Sequence, residues 1–316
     1  MARARKSSGQ KASGHKGTGE TFGGPHAGVP GALPVHLVVQ AVKAALNEDL
    51  GLAGDITTDA TIAPDVTARG LFAARADGVV SGLEVAAATF VILDRRVAFE
   101  PRVQDGTRVT VGTVIAEVAG PARAILTGER VALNFLGRMS GIASLTRQYV
   151  DAVAGTGAAI ADTRKTTPGL RAFEKYAVRC GGGVNHRIGL FDAVLIKDNH
   201  IIASGGIEAA ITAARSRAGH LVKIEVEVDT LDQLDVALSH PIDAVLLDNM
   251  SQDELREAVR RVELRRAAGA RIVTEASGGV NLSTVRAIAE SGVDLISVGA
   301  LTHSAPVLDL GLDFDG

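Results

Sequence analysis

The sequence predicts an α/β protein whose larger part is a βα barrel, complete or incomplete, preceded by a smaller domain. After Gly157, short apolar runs typical of buried strands alternate with amphipathic segments. Repeated βα units of this spacing imply a parallel sheet. Every predicted strand also ends in polar residues, and a closed barrel brings all such ends to one mouth. A doubly wound sheet would concentrate them at one switch point, so the pattern favours the barrel.

The elements of this repeat can be assigned from their periodicity. The predicted strands lie near six positions, which are Ile160, Leu195, Val226, Leu246, Val273 and Ile296. Between them, helical segments are predicted over residues 171–178, 207–218, 231–238, 252–267 and 282–291. The alternation is regular enough to define one repeating domain.

The chain before the repeat has a different texture. An amphipathic helix starts near Leu33, and short β-like runs between Thr67 and Ile125 predict a small, mainly antiparallel sheet. A long helix then runs from Thr127 to about Ala154 and links the two parts. We therefore expect an N-terminal domain over residues 32–139 and a barrel domain with a C-terminal tail over residues 140–316.

Residues 1–31 are predicted to be a disordered basic extension. They are rich in Gly, Ser, Lys and Arg and have almost no large apolar side chains, so folding could not offset their lost entropy. Contact with nucleic acid is the alternative to a solvated tail. No apolar segment follows the basic start, which argues against a secretory signal.

Composition excludes several classes of protein. The 316 residues carry a net charge of −3, with a pI of about 6.3, so no overall basicity suggests nucleic-acid or membrane-surface binding. Apolar runs such as residues 85–93 fall short of the roughly 18–20 residues that span a bilayer. The single cysteine, Cys180, excludes an internal disulfide framework and has no evident activating partner. We expect a soluble cytoplasmic protein.

Charged residues cluster at the predicted strand ends. Five of the basic side chains within residues 162–200 form tight polar groups between apolar runs, namely Arg164, Lys165, His186, Arg187 and Lys197. Strand alternation turns Glu225, Glu227 and Asp229 towards the barrel interior, together with Lys197 and Asp248. A structural salt-bridge network is one interpretation, and His186 could be a loop histidine satisfied by hydrogen bonds. The cations nevertheless exceed what Glu227 and Asp248 could pair, which indicates an anionic substrate.

Glycine-bearing turns refine the nature of that anion. The turns at residues 276–280 (ASGGV) and 297–300 (SVGA) follow the last two strands, where barrels often bind phosphate through backbone N–H groups. A plain turn would explain either one alone. The acidic residues could hold a divalent metal such as Mg²⁺, or stabilise positive charge developing on a sugar ring. Both tasks fit a phosphorylated sugar.

Eight stretches together resemble the quinolinate phosphoribosyltransferase family of NAD biosynthesis, also known as the carboxylating nicotinate-nucleotide pyrophosphorylases. They are EDLGLAGDITTD, LTGERVALNFLGRMSGIAS, DTRKTTPGLRAFEKYAVRCGGGVNHRIGL, LIKDNH, IEVEVD, LLDN, EASGGV and VGALTHS. The resemblance runs from about Glu48 to Phe314. It implies an incomplete, seven-stranded βα barrel preceded by a smaller α/β sandwich domain.

The same resemblance implies substrates and residue roles. The family joins quinolinate to 5-phosphoribosyl-1-pyrophosphate with Mg²⁺, releasing pyrophosphate and CO₂ and leaving nicotinate mononucleotide. By resemblance, the residues that act on the substrates fall into five groups: quinolinate binding by Arg164, His186 and Arg187; substrate binding, with no substrate specified, by Thr163; catalysis by Lys165, Lys197, Glu227 and Asp248; metal binding by Glu227 and Asp248; and phosphate binding by Ser277, Gly278 and Gly299.

Family members form homodimers with shared active sites, which implies that Arg130 completes the quinolinate site of the neighbouring subunit. Three alternatives remain at this stage. The chain could be a relative that acts on nicotinate without decarboxylation, a similar protein encoded with molybdate transport, or a non-catalytic sensor of phosphate ligands.

Overall fold

The computed structural model describes residues 31–314, so the predicted extension over residues 1–31 lies almost entirely outside the described part. Its first elements are α1 (Val35–Leu50), α2 (Ile56–Thr61), β1 (Thr67–Ala74), β2 (Gly78–Val79), α3 (Leu83–Leu93), β3 (Ala98–Pro101), β4 (Arg108–Val109) and β5 (Val114–Pro121). The predicted helix and the mainly antiparallel small sheet are therefore both present.

The sheet of this first domain is completed by the end of the chain. Its order is β12-β1-β5-β3, in which β12 (Leu310–Phe314) pairs antiparallel with β1. Phe72, Phe90 and Phe99 pack beneath it with ring centroids 5.6–6.0 Å apart. The C-terminal residues, which the sequence assigned to the barrel domain as a tail, thus form a strand of the smaller domain.

Helix α4 (Ala122–Ala152) joins the two parts over 31 residues. Small residues allow the segment before β12 to lie directly on it, since a Cβ at Gly141 would come within 2.0 Å of the Pro306 carbonyl oxygen. The Leu308 N–H also donates to the Gly137 carbonyl oxygen at 3.0 Å. The chain end is therefore fixed to the linking helix as well as to β1.

The second domain contains the predicted βα repeat. Its elements are β6 (Ala159–Ala161), α5 (Arg171–Cys180), β7 (Val194–Ile196), α6 (Asp198–Ser204), α7 (Ile207–Arg217), β8 (Ile224–Val228), α8 (Leu231–Leu238), β9 (Ala244–Asp248), α9 (Gln252–Ala267), β10 (Val273–Ser277), α10 (Val285–Ala289), β11 (Leu295–Ser297) and α11 (Ala300–His303). All six predicted strands are present.

These strands form one parallel sheet in the order β6-β11-β10-β9-β8-β7. Val184 adds a single parallel bridge to Ala161 at the β6 edge. The prediction of an incomplete barrel after a smaller α/β domain is confirmed. In place of the seventh strand implied by resemblance, the described residues contain only this bridge.

Strand alternation directs the charged residues inward, as the sequence indicated. Ile224, Val226 and Val228 on β8 are at most 1% exposed and belong to the apolar core. The register aligns Glu227 with Leu246 and Ser277 with Asp248, so their side chains share the interior face. Within residues 31–314, no helix is both long and apolar enough to cross a membrane.

Candidate active site at the carboxyl ends of the barrel strands

The first ion pair at the barrel mouth joins β7 to β8. Lys197 directly follows β7, and its Nζ contacts the Glu227 carboxylate. The lysine side chain is 45% exposed and the glutamate only 11%, so the carboxylate is fixed while the ammonium reaches solvent. Two of the predicted catalytic residues are therefore in direct contact.

The loop after β6 meets the turn after β11. Thr163 Oγ1 accepts the N–H of Lys165 at 3.0 Å, and the Lys165 carbonyl accepts the Thr302 hydroxyl at 2.7 Å. A Cβ at Gly299 would lie 3.1 Å from the Lys165 Cδ, so glycine allows the lysine stem to pass close by. The residues predicted to bind quinolinate and phosphate from these two loops are thus adjacent.

Arg164 and Arg187 are two half-buried guanidinium groups at this mouth. The Nε atom of each is buried and has no hydrogen-bond partner within residues 31–314. Burial, and then the charge of Arg164, lowers the pKa of Arg187. Nearby like charges with unpartnered donors favour an anion between them.

His186 lies between these arginines and the interior carboxylates. Its Nε2 is 2.9 Å from Glu225 Oε2, while its Nδ1 accepts the Arg187 N–H at 2.7 Å. The second hydrogen bond assigns the proton of the neutral ring to Nε2, which then donates to Glu225. Burial lowers the pKa of His186, but Glu225 and Glu275 outweigh burial, so the pKa is raised.

His186, Glu225 and Glu275 also have the composition of a metal site, since one ligand atom from each lies within 4.8 Å of the others. The hydrogen bond at Nδ1 argues against that use. A metal ion at Nε2 would require the ring proton to move to Nδ1, where it would meet the Arg187 N–H. Asp229, the third carboxylate predicted on β8, lies past the strand end and is exposed. Glu275 takes its place as the third interior carboxylate.

A buried ion pair supports the two basic loops. Lys175 from α5 contacts the Asp162 carboxylate at the end of β6, with side chains 3% and 0% exposed. Asp162 also accepts the N–H of His186 at 2.9 Å and the side-chain amide of Asn185 at 2.6 Å. Because one carboxylate binds both segments, Asp162 sets the spacing between Arg164 and His186.

The turns after β9 and β10 form the rest of the mouth. Asp248 accepts the side-chain amide of Asn249 at 2.6 Å, and Ser277 lies beside Asp248 in register. Gly278 has φ +94°, and a Cβ there would lie 2.0 Å from Asn249 Oδ1. Only glycine fits this turn, because Asn249 fills the space that a side chain would need.

Arg130 is the predicted site residue that the chain does not bring to its own mouth. It lies exposed on α4, and no hydrogen bond or ion pair reaches it from the part of the chain described. Every other predicted site residue lies at or just beyond the carboxyl end of a barrel strand or on a loop that joins it. The geometry within one chain thus leaves Arg130 available to another molecule.

Sequence reasoning missed Glu275, Asp162 and Lys175 as parts of this site. The alternation that identified Glu225 and Glu227 on β8 would also have identified Glu275 on β10. Lys175 gave no comparable signal, because a lysine in an amphipathic helix is ordinarily solvated. Cys180 is buried, and burial raises the pKa of its thiol to about 12, in agreement with the lack of an activating partner in the sequence.

An interior cavity of about 1230 Å³ extends from this cluster towards the amino ends of the strands. Its lining includes His186, Glu225 and Glu275 at one end and Lys223 and Arg271 at the other.

Comparison with known proteins identifies the family. Models of the N-terminal and C-terminal domains of quinolinate phosphoribosyl transferase match residues 55–140 and 142–313. The chain belongs to the quinolinate phosphoribosyl transferase family. The family predicted from sequence is thereby confirmed.

Relatives within the family cover nearly the whole chain. A carboxylating nicotinate-nucleotide pyrophosphorylase of Mycobacterium leprae is 46% identical over 279 residues, which are 86% of this chain and 95% of the relative. A probable enzyme of the same name from Bacillus subtilis is 44% identical, covering 84% and 89%. The NadC structure from Streptococcus pyogenes has a TM-score of 0.84 at 40% identity, covering 90% of this chain and 99% of that one. This quinolinate phosphoribosyl transferase family member therefore shares both sequence and fold with them.

Proposed function

We propose that the chain transfers the phosphoribosyl group of 5-phosphoribosyl-1-pyrophosphate to quinolinate, with decarboxylation, in the synthesis of NAD. The products are nicotinate mononucleotide, CO₂ and pyrophosphate. Relatives named as carboxylating nicotinate-nucleotide pyrophosphorylases support this reaction. The single structural observation that carries it is the pair Arg164 and Arg187, whose buried Nε atoms have no partner among the described residues. A dicarboxylate would supply a negative charge and hydrogen-bond acceptors to both of these guanidinium groups.

Quinolinate would bind between these arginines, next to Thr163. Each guanidinium can form a bidentate pair with a carboxylate, which fixes orientation as well as supplying charge. His186 has a different task from theirs, because both ring nitrogens already have partners in the chain. It would form the floor of the subsite and keep the Arg187 backbone in place.

The sugar substrate would bind across the neighbouring strand ends. Lys165 and Lys197 carry the charge that a pyrophosphate needs, and the turns at Ser277, Gly278 and Gly299 offer backbone N–H groups to the phosphate. In the absence of substrate Lys197 contacts Glu227, so pyrophosphate would compete with that carboxylate for the ammonium.

The carboxylates of Glu227 and Asp248 fit Mg²⁺. They are oxygen ligands on adjacent strands, face the same interior and lie at the carboxyl ends. Magnesium is typically held by one or two carboxylates together with substrate phosphates. When bound, the ion would neutralise charge on the departing pyrophosphate.

The residues at the barrel mouth could assist the successive bond changes of the proposed reaction. Departure of pyrophosphate, assisted by Lys165 and Lys197, leaves an oxocarbenium-like ribose that Glu227 and Asp248 would stabilise electrostatically. Capture by the pyridine nitrogen makes the ring cationic. The ring then accepts the electron pair when the adjacent carboxylate leaves as CO₂, and a proton takes its place on the ring carbon.

The functional unit would be a homodimer in the cytoplasm. Arg130 is exposed on α4 without a partner in the described part of its own chain, which is the geometry expected of a residue that serves the neighbouring subunit. The charge balance and the single cysteine agree with a cytoplasmic location.

The deciding experiment supplies quinolinate and the activated sugar with magnesium and measures CO₂ and nicotinate mononucleotide together. Equal amounts of both are expected. A nucleotide product without CO₂, or turnover of nicotinate alone, would instead indicate a non-decarboxylating relative. Tight ligand binding in calorimetry without any turnover would indicate a sensor.

A further inference from the structure

Glu275 is a buried carboxylate to which the proposed reaction assigns no role. It lies on β10 with 2% of its surface exposed, and its Oε1 atom has no hydrogen-bond partner among residues 31–314. This unpartnered oxygen is 3.7 Å from His186 Nε2 and faces Glu225 from the neighbouring interior wall. A buried, unpartnered carboxylate is costly unless something neutralises it.

The hydrogen bonds around His186 leave Glu275 without that neutralising partner. A charged ring would direct a second N–H, at Nδ1, towards the Arg187 N–H, so this geometry fits the neutral ring. Its one N–H group, at Nε2, donates to Glu225 at 2.9 Å. Nδ1 cannot donate to either carboxylate, because it accepts the Arg187 N–H. One imidazole proton therefore serves two carboxylates, and the second carboxyl group must keep a proton of its own.

Charges from the surrounding elements act on this carboxyl group in both directions. Burial and then Glu225 on β8 raise the pKa of Glu275 to about 8, and Asp162 at the end of β6 acts in the same sense. His186 and the Ser297 hydroxyl on β11 oppose them. Two cations on neighbouring segments already have other partners. Lys175 on α5 contacts Asp162, and Arg187 donates from Nη1 to a backbone carbonyl oxygen.

We propose that Glu275 is a positioning residue. As a neutral acid it adds no second negative charge beside Glu225, which lies within 4.8 Å and holds the His186 ring as the floor of the quinolinate subsite. Its ionisation would place a second negative charge beneath that subsite and weaken the binding of a dicarboxylate. The location of the subsite rests on the proposed function. The protonated state of Glu275 rests only on the cluster itself.

The test compares quinolinate binding and kcat/KM for quinolinate between pH 6 and pH 9 in the wild type and in Glu275→Gln. In the wild type, affinity should fall above about pH 8, approaching tenfold per pH unit as one proton becomes linked to binding. Glutamine keeps a neutral donor in place, so the variant should bind with little dependence on pH. Glu275→Asp, which retains a titratable group, should restore an alkaline decline.

Glu263→Gln provides the matched control, because Glu263 is an exposed carboxylate on α9 and should leave the profile unchanged. An alkaline decline that persists in Glu275→Gln, or a wild type without a decline, would overturn the proposal. Should Glu275→Gln not fold, the Glu275→Asp profile decides. A decline that is shifted in pH supports the proposal, and one identical to the wild type overturns it.

Infrared spectroscopy of the substrate-free protein separates this proposal from the proposed function. The C=O stretch of a protonated carboxylic acid should be present at pH 7, disappear as the pH rises through about 8, and be absent in Glu275→Gln. If that band is present but quinolinate is not a substrate, the proposed function fails while the protonated acid stands. If the band is missing, the proposal fails whether or not the enzyme turns over.

Discussion

Replacing Lys175 with methionine tests the support beneath the two basic loops. The change removes the contact of Nζ with Asp162 and the 3.0 Å hydrogen bond from Nζ to the His186 carbonyl, while keeping most of the apolar stem. Asp162, which is 0% exposed, is left as an uncompensated carboxylate with two remaining donors. Breaking a buried pair from one side typically costs about 3–5 kcal/mol, so we expect that loss at pH 7.

Both partners show that burial dominates this pair. Desolvation raises the pKa of Asp162 and lowers the pKa of Lys175 in spite of their mutual attraction. A carboxyl group whose pKa is raised by folding lowers the free energy of unfolding as the pH rises above its unfolded pKa of 3.8. The stability deficit of Lys175→Met should therefore be smaller at pH 5 than at pH 8.

Urea unfolding at the two pH values measures the effect. The double variant Asp162→Asn with Lys175→Met removes both charges and should recover much of the lost stability. Arg260→Met is the control, since Arg260 forms an exposed pair with Glu257 on α9 and its loss should leave the unfolding midpoint almost unchanged. A deficit below about 1 kcal/mol in Lys175→Met, or a double variant no more stable than the single one, would refute the reasoning.

Three further changes test the subunit arrangement, the phosphate turn and the chain-end contact. Verified heterodimers of Arg130→Ala with Lys165→Ala should recover about half of wild-type activity if the arginine acts on the neighbouring site, whereas no recovery would place it in its own chain. Gly278→Ala should raise KM for the activated sugar about tenfold, because its Cβ would lie 2.0 Å from Asn249 Oδ1 at φ +94°; an unchanged KM in steady-state kinetics would contradict this. Gly141→Ala should destabilise the protein by about 1–3 kcal/mol in urea unfolding, because its Cβ would meet a backbone carbonyl oxygen at 2.0 Å, and an unchanged midpoint would argue against that contact.

The strand pattern was enough to predict the barrel and the inward direction of Glu225, Glu227 and Asp248, but not the exposure of Asp229 beyond the end of β8. Alternation along the strands turned both Glu227 and Lys197 towards the interior, and the two side chains are in contact. The spacing of strands and helices along the chain could not show how many strands the barrel sheet contains. The seventh position is a single bridge at Val184, in a segment whose polar and glycine residues give no strand signal.

Long-range contacts account for what the sequence did not predict. Lys175 and Asp162 are 13 residues apart, and their pairing depends on how α5 packs across the end of β6, which no local pattern specifies. The same holds for β12, whose pairing with β1 joins residues more than 200 positions apart. Local propensity describes elements, whereas tertiary packing decides their partners.

The position of β12 has a consequence for how the chain matures. β1 lies between β12 and β5, so the sheet of the smaller domain lacks its outermost strand until residues 310–314 have been synthesised. Domains generally fold as units during synthesis, N-terminal first. Here the first domain cannot complete its sheet until the second domain and β12 have been synthesised. Until β12 has been synthesised, β1 would present an unpaired edge. Loss of residues 310–314 should therefore leave the β1 edge free to pair with other chains.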